Sequence, residues 1–422
     1  MKKLLFWCAA LTMVVNAGTS NGKFTIAFWG DSRSAGGSAP INICGHILAN
    51  KGTIYDISLQ DGDFTEGGSA GAWTTAFGRT NVSAVMKVKD FSFMCTSDHD
   101  VVSAATLTEY GNQMGSILPS NGSNCYYYYK SWPLPNSTRK VHVCAADVAN
   151  PHQIAVAPQI AYFTQQLASA GQHDWVICLM HSWVWNVEFG EGDQADAIAM
   201  QNFFQTHGGD LLLMGDAHIY LRSNLVAASG SAPVLVQQHS GAAATSTDEQ
   251  LGLVHIINGR GGNFEAQKLT ASWDGWAVAP NLSDQVGIVT KLEFDDNKVT
   301  ITSQKIGGAP GYAVTSTVDG PFTWTRGPAS TVAVKAAAAE KNLSAFSITR
   351  APNGLKIALG MPGSVSVFDL KGTLVRTIGI GVAGNGMWDE KSATGEPVKN
   401  GIYVVKADFG SEHVQSQVML AR

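Results

Sequence analysis

The chain has 422 residues, of which 45% are hydrophobic, and its 28 lysines and arginines against 33 aspartates and glutamates give a formal net charge of −5. This slight acidity, without a long run of Lys or Arg, argues against a nucleic-acid-binding face, because such faces concentrate basic residues. The length and the hydrophobic fraction allow one large core and a second, smaller domain.

The first 17 residues have the pattern of a secretory signal peptide. Lys2 and Lys3 precede an apolar stretch from Leu4 to Val15, and Ala17 supplies the small residue expected at a cleavage site. The stretch is too short for a membrane span, and no other segment is long and apolar enough to cross a bilayer. We therefore expect a protein that is secreted or held at the cell surface.

Five predicted apolar strands are each followed by side chains that could bind a metal. In chain order, these side chains are Asp31, Asp63, Asp98 with His99, His181, and Asp216 with His218. Ligands of open α/β sheets bind beyond the carboxyl ends of the strands, so Asp and His residues delivered to one edge predict a shared metal centre.

Helical patterns separate several of these strands and predict a layered α/β fold. The predicted helices span residues 41–50, 73–77, 82–88, 159–170 and 196–206. Strand, helix, strand order implies right-handed parallel crossovers. Further strands at 125–129, 141–144 and after His218 predict a second sheet, so the expected fold is a two-sheet α/β sandwich with helices outside.

The cysteines do not imply a disulfide framework. Five remain after the signal peptide, an odd number without a CxxC spacing, although an oxidising compartment would allow one or two bridges. Cys95, Cys144 and Cys178 fall within predicted core strands, where a cysteine usually acts as a small buried hydrophobic residue.

The composition changes near residue 327. Residues 327–341 are rich in Pro, Ala, Ser and Thr, and predict a linker after a main domain at 18–326. Residues 342–422 contain short alternating strands separated by turns, which predicts a small all-β Ig-like sandwich.

The sequence motifs at the strand ends, and their order along the chain, resemble those of the calcineurin-like metallophosphoesterases, particularly the bacterial relatives of purple acid phosphatases. The likeness covers residues 23–326 and rests on Gly30-Asp31-Ser32-Arg33, Gly62-Asp63 with Gly67-Gly68, Ser97-Asp98-His99-Asp100, His181 and Gly215-Asp216-Ala217-His218. These motifs are specific as an ordered set. The resemblance implies a phosphoesterase that hydrolyses phosphate mono- or diesters with a hydroxide bridging two divalent metal ions.

The resemblance also implies a role for each of these residues. Asp63 would bridge both metals, Asp31 and His218 would complete the first site, and the second site would be completed by Asp98, His181 and Asp216. His99 stands at the family's position for the imidazole that stabilises the transition state and protonates the leaving oxygen. Tyr220 and Arg222 follow His218 as in purple acid phosphatase relatives, where they are chiefly structural.

Three positions depart from the family's pattern. Arg33 replaces a histidine ligand; a guanidinium cannot bind a metal, but it can bind a phosphate oxygen, so we assign Arg33 to catalysis. Asp98 replaces an asparagine and Asp216 a histidine, and both can still coordinate. The second site then has three carboxylates and one imidazole, which favours Mn²⁺, Mg²⁺ or Fe over Zn²⁺.

Alternatives remain at the level of the sequence. The added negative charge weakens the pull of the metals on substrate and water, so the alternative function is that of a catalytically degenerate binding protein displayed at the cell surface.

Asp61 and Glu66 flank Asp63, and either support the ligands or lie in a solvated loop. The pocket walls that choose between monoesters and diesters are expected in loops at 106–124 and 183–194. No Gly-x-Ser-x-Gly elbow supports a serine hydrolase.

The C-terminal segment has a resemblance of its own. Met387-Trp388-Asp389, Gly395-Glu396-Pro397-Val398 and Asn400-Gly401-Ile402-Tyr403 are similar to flagellar-hook-cap-like Ig modules that serve as sorting domains of type IX-type secretion. The likeness implies that this module binds a bacterial secretion machinery and does no chemistry. A carbohydrate- or wall-binding module is less supported, since no exposed aromatic cluster is evident.

Overall fold

A computed structural model of the chain describes residues 22–33, 38–148, 154–171, 173–184, 195–229, 232–239, 241–246, 252–262, 276–280, 282, 284–326, 346–351, 354–359, 363–369, 373–380, 385–399, 401–409 and 412–420. The predicted signal peptide, residues 1–17, and the predicted linker, residues 327–341, lie outside the described residues, as do residues 185–194 of the second predicted loop.

In chain order the elements are β1 Phe24–Trp29, α1 Ala39–Asn50, β2 Ile57–Gln60, α2 Ala70–Gly78, α3 Val82–Met86, β3 Ser92–Met94, α4 Ala104–Met114, β4 Tyr128–Pro133, β5 Lys140–Ala145, α5 Val156–Leu167, β6 Trp175–Leu179, α6 Ala195–Thr206, β7 Leu211–Met214, β8 Tyr220–Ser229, β9 Ala232–Gln237, β10 Ala243–Ser246, β11 Leu253–Asn258, β12 Trp276–Val278, β13 Ile288–Asp295, β14 Lys298–Ile306, β15 Val314–Arg326, β16 Phe346–Ala351, β17 Gly354–Leu359, β18 Gly363–Asp369, β19 Leu374–Ile380, β20 Asn385–Trp388, β21 Gly401–Phe409 and β22 Glu412–Leu420.

Two large sheets form the main part of the molecule. The first has the order β10-β15-β14-β13-β1-β2-β3, and the second has the order β12-β8-β11-β7-β6-β5-β4 with β9 paired to β8. Within the first sheet β1, β2 and β3 are parallel. In the second sheet β5, β6, β7 and β11 are parallel. All five strands that precede the predicted ligands therefore lie in parallel segments.

The core lies between the two sheets. A single hydrophobic cluster contains Phe28 and Leu292 from the first sheet and Ile177 and Leu213 from the second. The alternate residues of β6 and β7, such as Cys178 and Leu212, belong to another cluster with residues of α5 and α6. Successive side chains of a strand point to opposite faces, so the second sheet is covered by its partner sheet on one face and by helices on the other. This arrangement confirms the predicted two-sheet α/β sandwich.

Two predicted elements differ from the structure. Residues 106–124 were expected to form a loop, but α4 occupies Ala104–Met114 and begins with a capping box between Ser103 and Thr106. Only Tyr110 and Met114 of this helix are buried, so its hydrophobic period is weak. The strand predicted at 125–129 lies three residues later, and it is an edge strand, where Pro133 at its end is tolerated.

The C-terminal part is all-β, as predicted. It contains a three-stranded sheet, β16-β17-β20, and a four-stranded sheet, β19-β18-β21-β22, with antiparallel pairing in both. Its core includes Ile357, Val367 and Val405 around the buried Trp388. The indole nitrogen of Trp388 donates to the carbonyl of Lys391 at 2.9 Å, and its ring packs edge-on against Tyr403.

Five cysteines of the described residues are buried and carry free thiols: Cys44, Cys95, Cys125, Cys144 and Cys178. Cys144 and Cys178 are neighbours across the β5–β6 pair. Burial in the core raises the pKa of both thiols, which suits packing rather than reactivity. None of the described helices has the length and apolar character needed to cross a membrane.

Candidate metal centre

Three aspartates that follow strands share an unusual backbone conformation. Asp31, Asp63 and Asp216 have φ values of 50°, 53° and 66°. The left-handed region is uncommon for residues other than glycine, although aspartate tolerates it better than most. The chain turns sharply at each of these three strand ends. Backbone conformations of this uncommon kind cluster at functional sites.

The first group of predicted ligands consists of Asp31, Asp63 and His218. Donor atoms of these three buried residues lie within 4.8 Å of one another. The backbone N–H of Asp216 donates to Asp31, at 3.1 Å from both carboxylate oxygens, and so fixes that carboxylate against the end of β7. The structure thus brings the ends of β1, β2 and β7 to one point.

The second group consists of Asp98, His181 and Asp216, whose donor atoms also lie within 4.8 Å of one another. His181 Nε2 is 3.2 Å from Asp98 Oδ1, 3.8 Å from Asp216 Oδ1 and 3.3 Å from Asp63 Oδ1. Asp63 therefore lies between the two groups, at the position expected of a bridging carboxylate.

The orientation of His181 is set by the backbone. Its Nδ1 donates to the carbonyl oxygen of Asp61 at 2.8 Å. A carbonyl can only accept, so Nδ1 carries a proton, and in the neutral ring Nε2 presents its lone pair to the carboxylates. Burial lowers the pKa of His181, but the nearby Asp63 and Asp98 outweigh burial and hold this pKa well above its usual value.

The chemistry of the donor set fits a divalent cation. Burial raises the pKa of Asp31 and Asp63 well above the ordinary aspartate value, and neighbouring carboxylates add to this effect. Among the described residues, neither oxygen of Asp63 accepts a hydrogen bond, although both are buried. Buried carboxylates are costly unless positive charge compensates them; Arg33 supplies one positive charge beside Asp63, and a bound cation would supply more.

Burial also lowers the pKa of His218, to about 3, and the positive charge of Arg33 adds to this shift. Because its pKa lies far below neutrality, His218 is uncharged near pH 7. A neutral imidazole is the form that binds metals. His218 therefore has the protonation state that its predicted role requires.

Arg33 lies beside the first group. Its Nε is 3.3 Å from Asp63 Oδ2, and the side chain is 13% exposed. Within the described part of the chain, neither Nε nor Nη1 makes a hydrogen bond. The guanidinium is thus held next to the carboxylates with donors to spare, as needed for contact with an anionic substrate.

His99 lies further out, at the rim. Its ring is 32% exposed, with Nδ1 3.2 Å from Glu66 Oε1 and Nε2 3.6 Å from Asp98 Oδ2. The side chain of Glu66 is exposed, so Glu66 lies in solvent beside His99 at the rim of the site.

Asp100 positions two of the ligand-bearing loops. Its carboxylate accepts hydrogen bonds from the backbone of Phe64 and Thr65 after β2, and from the Ser97 hydroxyl after β3. Asp63 and Asp98 are carried by these same loops, so one buried carboxylate fixes their separation. The contacts of Asp100 are therefore those of a supporting residue.

Asp61 is the residue whose surroundings the sequence did not reveal. It is fully buried, so the solvated-loop interpretation is wrong. Donor atoms of Asp31, Asp61 and His181 lie within 4.8 Å of one another. The only sequence signal was its place directly after an apolar strand, one residue before the Gly62-Asp63 motif.

No protein-family model matches the sequence, and neither does any curated protein. A purple acid phosphatase from yellow lupin (Lupinus luteus) seeds is similar in structure, with a TM-score of 0.53 and 14% identity over 74% of this chain and 55% of that chain. GAP50, the anchor in the inner membrane complex of Plasmodium, gives a TM-score of 0.46 at 12% identity over 70% and 87%. A predicted phosphoesterase from Streptococcus pneumoniae gives 0.26 at 9% identity over 67% and 90%.

The similarity to the lupin phosphatase is one of fold. The matched region spans about half of the lupin chain, and 14% identity carries no residue roles by itself. The chain therefore has a fold similar to that of the lupin purple acid phosphatase, and its clustered Asp and His side chains form a candidate site for a divalent metal.

Proposed function

We propose that the chain is a metal-dependent phosphoesterase that hydrolyses phosphate mono- or diesters. One observation carries the proposal: six ligands predicted from distant strand ends converge in two groups that meet at Asp63. Buried polar atoms usually have hydrogen-bond partners, yet neither oxygen of Asp63 has one among the described residues.

The protein's part in the reaction is to hold cations and substrate. Asp31, Asp63 and His218 would hold one cation, while Asp98, His181 and Asp216 would hold another beside Asp63. Divalent cations bound there would supply Lewis acidity that offsets the negative charge of the ester and lowers the pKa of a water. The carboxylate-rich second group favours Mn²⁺, Mg²⁺ or Fe, and Zn²⁺ less.

Two further residues would act on the substrate. Arg33, whose side chain is 13% exposed, would bind a non-bridging phosphoryl oxygen. His99 at the rim would donate a proton to the leaving oxygen, so that the departing group leaves as an alcohol. The bond that breaks joins phosphorus to that oxygen, and water supplies the new P–O bond.

The second candidate function is a surface-displayed binding protein on a degenerate phosphatase scaffold. The observation that favours it is the Arg33–Asp63 pair, because a guanidinium 3.3 Å from the shared carboxylate competes with a cation for it. In that case metal binding would be weak or would occur without turnover.

The experiment is a hydrolysis assay with aryl phosphate mono- and diesters and Mn²⁺, Fe, Mg²⁺ or Zn²⁺ in turn. We expect metal-stimulated turnover that Asp63→Asn abolishes. Asp90→Asn is the matched control, because Asp90 is an exposed carboxylate outside the site. Metal bound weakly, or bound without turnover on any substrate, would favour the binding protein, and the absence of bound metal would refute the phosphoesterase.

Export is part of the same proposal. Residues 1–17 have the pattern of a signal peptide, and residues 387–403 resemble the motifs of sorting domains. Both features support a secreted or cell-surface bacterial enzyme that binds a secretion machinery through its C-terminal module. N-terminal sequencing of the surface-associated protein tests it, since a chain beginning at residue 1 would contradict removal of the signal.

A further inference from the structure

Asp61 lies fully buried beneath the site, although neither its position nor the resemblance marks it as a ligand. Its exposure is 0%, and neither of its carboxylate oxygens has a hydrogen bond of good geometry in the described part of the chain. Burial raises its pKa well above the ordinary aspartate value, and the nearby backbone N–H groups of Asp31 and Asp61 offset only part of this rise. Such a group calls for a specific explanation, because buried polar atoms are nearly always satisfied. A carboxylate needs either a proton or a nearby cation to be stable there.

Two glycines make room for this carboxylate. A Cβ on Gly30 would lie 1.3 Å from Asp61 Oδ1, and a Cβ on Gly215 would lie 2.6 Å from Asp61 Cγ and 2.6 Å from Asp31 Oδ2. The ends of β1 and β7 thus form a cradle that no larger residue would allow. The cradle places Asp61 directly against Asp31.

Asp61 adjoins the first ligand group, which is short of donors. Asp31, Asp63 and His218 give that group three, and Arg33 beside them offers a cation rather than a lone pair. A donor atom of Asp61 lies within 4.8 Å of one from Asp31, so both can reach a common ion.

The charge of the cluster points the same way. Among the described residues, the carboxylates of Asp31, Asp61, Asp63, Asp98 and Asp216 stand in groups around His181, and the guanidinium of Arg33 pairs with Asp63. With the histidines neutral, as metal ligands must be, these groups leave four negative charges, which two divalent cations would balance. Without Asp61, two cations and Arg33 would leave a net positive site.

We propose that Asp61 is a ligand of the cation that Asp31 holds. The donor atoms of Asp31, Asp61 and His181 lie within 4.8 Å of one another. The inference rests on the metal dependence proposed above. Asp61 supplies the anionic donor that position 33 does not, and it offsets the positive charge of Arg33, which is then free to contact substrate.

The test is the metal content of Asp61→Asn, an isosteric change that keeps the packing in the glycine cradle and removes the charge. After dialysis against Mn²⁺, elemental analysis should find two ions per wild-type chain and one per variant chain. Glu66→Gln is the control, since it removes an exposed carboxylate charge at the rim and should leave two ions. Calorimetric titration with Mn²⁺ should show the same loss of one binding event.

Thermal unfolding separates a ligand from a structural residue. In EDTA, Asp61→Asn should unfold at the same temperature as the wild type or a higher one, because an uncompensated buried carboxylate is gone. With Mn²⁺ the rise in Tm should be smaller in the variant than in the wild type. A lower Tm in EDTA would assign Asp61 to packing and overturn the inference.

Two other results would also overturn it: two ions retained by the variant with unchanged affinity, or only one ion in the wild type. A wild type that binds no Mn²⁺ would instead refute the proposed function itself. Should Asp61→Asn fail to fold, Asp61→Cys loaded with Co²⁺ gives a second measurement. A thiolate ligand produces a sulfur-to-metal charge-transfer band that the wild type lacks, and its absence would contradict ligation.

Discussion

His99 differs from the other histidines of the site in its access to solvent. It lies between Glu66 and Asp98 at the rim, whereas His181 is buried and has both ring nitrogens facing protein oxygens. A proton donor must reach the leaving group and then be re-protonated from water, which a rim position allows. This difference in exposure supports the proposal that His99 transfers a proton while His181 binds metal.

His99→Ala should lower kcat by about 10²- to 10⁴-fold on alkyl phosphates, because their alkoxide leaving groups need a proton. The loss should be smaller for nitrophenyl phosphates, whose leaving group departs readily as an anion. The measurement is kcat against the pKa of the leaving alcohol, which should fall more steeply in the variant.

Metal content provides the control for this change. It should equal that of the wild type, and His207→Ala, at an exposed position after α6, should alter neither property. An equal loss on all leaving groups would contradict a proton-donor role and would indicate that His99 acts through substrate binding or ligand placement.

At the scale of elements, glycines decide how closely the strand ends approach. Gly215 follows β7, and its backbone lies against the carboxylates of Asp31 and Asp61. Gly215→Ala should push both carboxylates away, weaken metal affinity about 10- to 100-fold and destabilise the fold by about 1–3 kcal/mol through overpacking. Metal titration and urea unfolding measure the two effects.

Gly78→Ala is the matched substitution. Gly78 ends α2, is exposed, and has open space where a Cβ would be placed. Because alanine favours helix, this variant should be unchanged or more stable by up to about 1 kcal/mol, with normal metal affinity. Equal behaviour of the two alanine variants would show that the strand ends are not tightly packed at Gly215.

The sequence predicted the strand ends well because a buried parallel strand is a continuous apolar run that stops where the chain turns. Trp175–Leu179 followed by His181, and Leu211–Met214 followed by Asp216, are examples. It could not predict that β1 pairs with β13, since periodicity gives the face of a residue and not its distant partner. The burial of Asp61 was not predicted for the same reason, because the two glycines that enclose its carboxylate, Gly30 and Gly215, are distant from it in the sequence.

At the scale of the whole molecule, a buried ion pair ties the two sheets together. Arg222 on β8 of the second sheet donates from Nε and Nη2 to Asp319 on β15 of the first, at 2.6 and 3.1 Å. The hydroxyl of Tyr220 donates to the same carboxylate at 2.8 Å, and the guanidinium lies 4.0 Å from the ring centre of Phe322. The resemblance had implied a structural role for Tyr220 and Arg222, and these contacts are structural.

Removing one member of this pair leaves the other charge buried and unbalanced. Asp319→Ala should therefore lower the free energy of unfolding by about 3–5 kcal/mol, measured by urea denaturation with metal present. The exposed pair of Lys130 and Asp90 is the comparison, and Asp90→Ala should cost at most about 1 kcal/mol. The double variant Arg222→Met/Asp319→Leu should recover much of the loss, because two apolar side chains replace two desolvated charges. If the double variant were as unstable as Asp319→Ala, the loss would come from misfitting side chains between the sheets, and the charge argument would fail.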